Sequence, residues 1–114
     1  MAKTFDFNKV KEKTLKVVLS DEANTTLILK TPTKALYESL KDLHEELKVV
    51  EDSEELEDGL YEITAKIMSN NKEKIEITPD QLKELYDDIE YINAFLEAYT
   101  EFIADYHKVA NSKN

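Results

Sequence analysis

The chain has 114 residues, enough for one modest core but not for two. Apolar residues make up 41% and charged residues 35%, with one Gly, two Pro and no Cys. This excludes a disulfide scaffold and thiolate chemistry, and it points to helices rather than a loop-rich sandwich. The net charge of −10 is uneven, with nine Lys against eight acids in residues 1–50 and six Lys against seventeen acids in residues 51–114.

Every basic residue is Lys, so the guanidinium fork that suits phosphate and nucleic-acid recognition is missing. No apolar run approaches the roughly 18 residues that cross a bilayer, and the opening residues lack a secretory h-region. A cytoplasmic protein without membrane or nucleic-acid contact is expected.

Residues 1–13 read as an extended or irregular lead-in, with Phe5 and Phe7 alternating around Asp6 so that one side docks on the body. Thr14 to Leu19 and Thr25 to Lys30 read as two β-branched strands, and the polar run Ser20 to Asn24 between them has hairpin length. Asn24 suits a left-handed position there. The first strand sets Leu15, Val17 and Leu19 against Thr14, Lys16 and Val18, and the second sets Leu27 and Leu29 against Thr26, Ile28 and Lys30, so Val18 and Ile28 put apolar groups on the nominally exposed face as well. A two-stranded ribbon is marginal in water and needs helices on one face.

Thr31-Pro32-Thr33 stops the second strand, with Thr33 as N-cap of a helix over 34–49. Its stripe is Leu36, Leu40, Leu43 and Leu47. Asp52 or Ser53 caps a second helix with the stripe Leu56, Leu60, Ile63 and Ile67, ending at Ser69-Asn70-Asn71. Gly59 lies mid-stripe and marks a close helix crossing. Lys74 to Ile77 alternates but is short. It can serve as a connector or as a third strand, with the connector favoured.

Thr78-Pro79-Asp80-Gln81 carries a capping-box start with Pro at the first helical position. The last third then shows apolar residues at Leu82, Leu85, Ile89, Ile92, Leu96, Tyr99, Ile103 and Tyr106, steps of three and four along one helical face. Phe95 and Phe102 widen that face. Asp87-Asp88 predicts a break between a helix over 79–86 and a longer one over 88–110, with residues 111–114 frayed. This apolar stretch is expected to organise the fold, the other elements covering it.

The expected architecture is α+β and mostly α: one domain over 1–114, with a hairpin at 14–30 and a bundle of three to four helices over 34–110. Its expected core is Leu36, Leu40, Leu43, Leu60, Ile63, Ile67, Leu85, Ile89, Ile92, Leu96 and Ile103.

No constellation for catalysis is visible. His44 and His107 lie on separate helices, and His44-Glu45-Glu46 lacks the second His of a zinc-peptidase helix. Glu97, Glu101 and Asp105 form a row at four-residue spacing on a polar face, best read as solvated. With a single Gly, no phosphate-cradling loop can be built. No cofactor, no metal and no catalytic residue is expected. Val18, Ile28, Tyr91, Phe95, Phe102 and Tyr106 are the candidate interface residues, because an apolar ring or branched chain near a surface suits protein contact.

The runs Leu60-Tyr61-Glu62-Ile63-Thr64-Ala65-Lys66-Ile67-Met68-Ser69-Asn70-Asn71, Ile77-Thr78-Pro79-Asp80-Gln81-Leu82 and Ala98-Tyr99-Thr100-Glu101-Phe102-Ile103 resemble a family of prophage proteins from Gram-positive bacteria. The order of two strands, Thr31-Pro32-Thr33 and an amphipathic helix resembles the small tail assembly chaperone-like proteins of long-tailed bacteriophages. That resemblance implies a non-enzymatic protein that oligomerises and holds the tape-measure protein in the host cytoplasm. The alternative reading, from the charge of residues 51–114, is an acidic nucleic-acid mimic or inhibitor.

Overall fold

The computed structural model describes residues 3–9 and 13–111, with the side chains of residues 105–111 outside that description. After a short 3-10 turn at Phe7–Lys9, strands β1 (Thr14–Val18) and β2 (Thr26–Lys30) form an antiparallel hairpin. Four helices follow: α1 (Lys34–Lys48), α2 (Ser53–Ser69), α3 (Pro79–Leu85) and α4 (Ile89–Asn111). The α+β, mostly helical class is as expected, and the boundaries agree within about two residues. The helical break at Asp87-Asp88 is present. The expected fray falls largely on residues 112–114, which lie outside the described residues.

Local chemistry accounts for the boundaries. In the hairpin turn the Asp21 carboxylate accepts from the Thr25 backbone N–H at 2.7 Å and from its hydroxyl at 2.5 Å. Asn24 takes a positive φ of 48°, a conformation that Asn tolerates better than most residues. Those Thr25 bonds, the hydroxyl foremost, hold the Asp21 carboxyl below its usual pKa. Thr33 caps α1 through Leu36 N–H at 3.1 Å, and Asp52 caps α2 through Glu55 N–H at 3.0 Å. Thr78 and Gln81 complete the capping box of α3, and the Asp88 carboxylate accepts from Glu90 N–H at the start of α4.

The central helix is α2, which corrects the expectation that the C-terminal stretch organises the chain. It packs against α1, α3, α4 and β2, and Gly59, Tyr61, Ile63, Thr64, Ala65, Ile67 and Met68 along it are buried. Leu27 and Leu29 of the hairpin, Leu82 of α3, and Ile92 and Tyr99 of α4 close around it. Of the expected core only Ile63, Ile67 and Ile92 are buried. Leu36, Leu40, Leu43, Leu60, Leu85, Ile89, Leu96 and Ile103 are half-buried. The cause is shape: α1 has no buried residue and packs mainly on α2. The radius of gyration is 16.4 Å, against about 13 Å for a compact domain of this length.

Gly59 marks a close crossing, as its position predicts. A Cβ there would overlap the Leu47 side chain. The lead-in behaves differently from expectation. Phe5 and Phe7 stand exposed and pack edge-to-face on each other at 4.7 Å instead of docking on the body.

After α2 the chain folds under β2. The Asn71 side chain is buried and donates to Met68 O at 2.7 Å and Ile75 O at 2.8 Å, while its oxygen accepts from Ile75 N–H. Ser69 Oγ holds Ile77 through its N–H and its carbonyl. Residues 75–77 are therefore a connector. The segment that meets β2 lies just before it, with a single bridge between Leu29 and Asn71.

Candidate interaction surface

The two edges of the hairpin differ. In the β1–β2 register, Leu15 faces Leu29 and Val17 faces Leu27, and Leu19 N–H donates to Thr25 O. Because outward- and inward-facing backbone groups alternate along an antiparallel strand, Ile28 and Lys30 on β2, and Lys16 and Val18 on β1, direct their backbone groups away from the hairpin. On β2 these groups are satisfied. Ile28 N–H donates to the Glu73 carboxylate at 2.9 Å, Ile28 O accepts from Lys72 N–H at 2.9 Å, and Lys30 N–H donates to Asn70 O at 3.1 Å. On β1 the N–H and C=O of Lys16 and Val18 have no partner among the described residues.

Beside the end of that open edge lies an apolar cavity of about 200 Å³. Val17, Val18 and Leu19 form one wall, Met68 of α2 contributes to the lining, and Tyr86, Tyr91, Ile92 and Phe95 form the other wall. Tyr86 joins the two sides. Its hydroxyl accepts from Ser20 N–H at 2.9 Å and donates to Ser20 Oγ at 3.2 Å, and its carbonyl accepts from the Tyr61 hydroxyl. Tyr91 packs on the Tyr86 ring at 5.4 Å yet remains 61% exposed, and Val18 is 55% exposed. An apolar floor, two exposed apolar rims and an unpaired strand edge meet here.

Three of the six candidate interface residues, Val18, Tyr91 and Phe95, line this one cavity. Ile28 lies on the outer face of β2 and is half-buried. Phe102 packs on Tyr99 with centroids 5.9 Å apart, against the core. The Tyr106 side chain lies outside the described residues, as do those of Asp105 and His107. Tyr86 and Leu19 also line the cavity but are not among the six candidates, although Leu19 falls in phase with Leu15 and Val17. Tyr86 sits at the helix break, where no periodic signal distinguishes a bridging hydroxyl from a core ring.

The electrostatics around the cavity are acidic. From residue 84 to residue 107 there are seven Asp and Glu and no Lys or Arg, and Asp87, Asp88 and Glu90 are exposed at the start of α4. Burial raises the pKa of the nearby Tyr61, with Glu57, Asp87 and Asp88 adding to it.

A larger groove of about 660 Å³ lies between α1, α2 and α3. Lys83 and Asp58 pair across it at 2.8 Å, a contact that raises the Lys83 pKa. Its charges are of mixed sign, and exposed pairs of this kind contribute little. Among the described residues no group of three or more His, Cys, Asp or Glu is arranged to hold a metal ion, and no helix is long and apolar enough to cross a membrane. His44 is exposed. Comparison with protein-family models, with curated proteins and with solved structures finds no match for this chain.

Proposed function

We propose that the protein works by binding other proteins rather than by catalysis, as a tail assembly chaperone-like protein of a phage or prophage acting in the host cytoplasm. The observation that carries this reading is the apolar cavity whose rims, Val18 and Tyr91, stay more than half exposed beside an open strand edge. Small domains leave contiguous apolar surface uncovered mainly where a partner covers it. In this reading the tape-measure protein, or another tail protein with long apolar segments, is the partner, and copies of the chain associate with one another.

Co-expression with the tape-measure protein from the same genome tests the proposal. The wild-type chain should raise the soluble yield of that protein and co-purify with it. The double variant Val18→Asp/Tyr91→Asp should fold, since both side chains are exposed, and should lose both effects. Equal soluble yields with and without the wild-type chain would contradict the proposal.

A further inference from the structure

We propose that β1 pairs with β1 of a second copy in antiparallel fashion about a two-fold axis at Val17, giving a continuous four-stranded sheet β2-β1-β1-β2. This rests on the protein-binding reading above and names the occupant of the open edge.

The asymmetry of the hairpin comes first. The chain itself covers the outer edge of β2 with Glu73, Lys72 and Asn70. The edge of β1 keeps Lys16 and Val18 unpaired among the described residues. An open edge is a template for another strand.

The register follows from what each alternative opposes. A two-fold axis at Lys16 sets Lys16 directly against Lys16 of the other copy, and like charges directly opposite are destabilising. An axis at Val18 sets Lys16 against Ser20, whose N–H is already committed to the Tyr86 hydroxyl. An axis at Val17 avoids the like-charge pair and moves the committed Ser20 N–H to a pairing with Thr14 at the end of the strand, away from Lys16 and Val18. Lys16 then pairs with Val18 of the other copy in both directions, so all four open N–H and C=O groups of each strand are used. The Lys16 stem also lies over the exposed Val18, a packing that long basic side chains favour.

Two further consequences support a second copy as the occupant. The same register places Leu15 of one copy opposite Leu19 of the other, on the face that lines the cavity. Leu15 is half-buried within one copy. The cavity of about 200 Å³ exceeds the roughly 150 Å³ that accommodates a benzene-sized group. Charge agrees as well: residues 13–18 carry Lys13 and Lys16 and no acid, while Asp87, Asp88 and Glu90 are exposed next in sequence to Tyr86, whose hydroxyl binds Ser20 beyond the end of β1. The strand itself carries Lys16 and no acid, in a chain of net charge −10.

The chain has no Cys, so single cysteines report proximity directly. Val17 faces its own symmetry mate at a non-hydrogen-bonded position, where Cα atoms lie about 4.5 Å apart, within disulfide reach. Under mild oxidation Val17→Cys should become a covalent dimer in high yield, while Lys30→Cys on the far strand should not. Lys16→Pro removes an edge donor that β2 does not use, so the hairpin should persist by circular dichroism. The dimer should weaken at least about tenfold by sedimentation, because two ladder hydrogen bonds are lost per dimer.

A dimer that Lys16→Pro leaves intact, or Val17→Cys that links no better than Lys30→Cys, would overturn the pairing while leaving protein binding through another face in place. A strict monomer at hundreds of micromolar would overturn the pairing outright. Loss of tape-measure binding with an intact β1 dimer would instead overturn the functional reading.

Discussion

Gly59 of α2 lies so close to Leu47 of α1 that a single added methyl group would overlap the leucine. This contact sets the separation of the two helices, and α2 is the main packing partner of α1. Gly59→Ala gains about 1 kcal/mol of helix propensity and displaces Leu47, whose tip can rotate. In the wild-type background the two effects should nearly cancel. In a Leu47→Ala background the same substitution should stabilise by close to the full amount of about 1 kcal/mol. Chemical denaturation of the four proteins in this double-mutant cycle measures the difference.

Asn71 closes the turn beneath β2 with three hydrogen bonds from a buried side chain. Asn71→Ala leaves Ile75 N–H and two carbonyls without their partner and should cost about 1.5–4.5 kcal/mol at 0.5–1.5 per bond. Asn71→Asp should be no better, because its carboxylate faces the Met68 and Ile75 carbonyls. Denaturant midpoints compared at neutral pH test both.

The helix ends were legible because each is written in local chemistry: Thr33, Asp52, the Thr78/Gln81 box and the Asp87-Asp88 break all act within three residues. Depth was not legible. Periodicity identifies the apolar face of a helix but not how much lies against it, so the Leu36/Leu40/Leu43/Leu47 stripe resembled core while packing mainly on α2. Tyr61, Thr64 and Ala65 are buried because α2 is surrounded, which no stripe reports. The candidate surface was half legible. Val18, Tyr91 and Phe95 were visible as apolar groups with no assigned cover, but their meeting in one cavity depends on the Tyr86–Ser20 bridge across 66 positions. Leu82→Ala, at a fully buried position, should therefore cost about 2–5 kcal/mol. Leu40→Ala and Leu96→Ala, at half-buried positions, should cost clearly less in the same denaturation assay.

Tyr99 is buried with no hydrogen-bond partner for its hydroxyl among the described residues, and burial pushes its pKa up to about 12. A free tyrosine titrates near 10. Between these values the folded chain keeps a proton that the unfolded chain releases. This contribution is thus complete below about pH 10 and is lost as the pH rises toward 12. Tyr99→Phe should match or exceed wild-type stability at pH 7, by up to about 1–3 kcal/mol. It should also lose less stability than the wild type between about pH 9 and pH 11, as followed by denaturation.

The open edge of β1 is tested most directly by amide hydrogen exchange of four adjacent residues as a function of protein concentration. Leu15 and Val17 donate within the hairpin and should be protected at every concentration. Lys16 and Val18 should exchange freely at low micromolar concentration and become protected at hundreds of micromolar, when a second copy supplies their acceptors. Fast exchange at Lys16 and Val18 that does not change with concentration, alongside protected Leu15 and Val17, would contradict self-pairing at this edge.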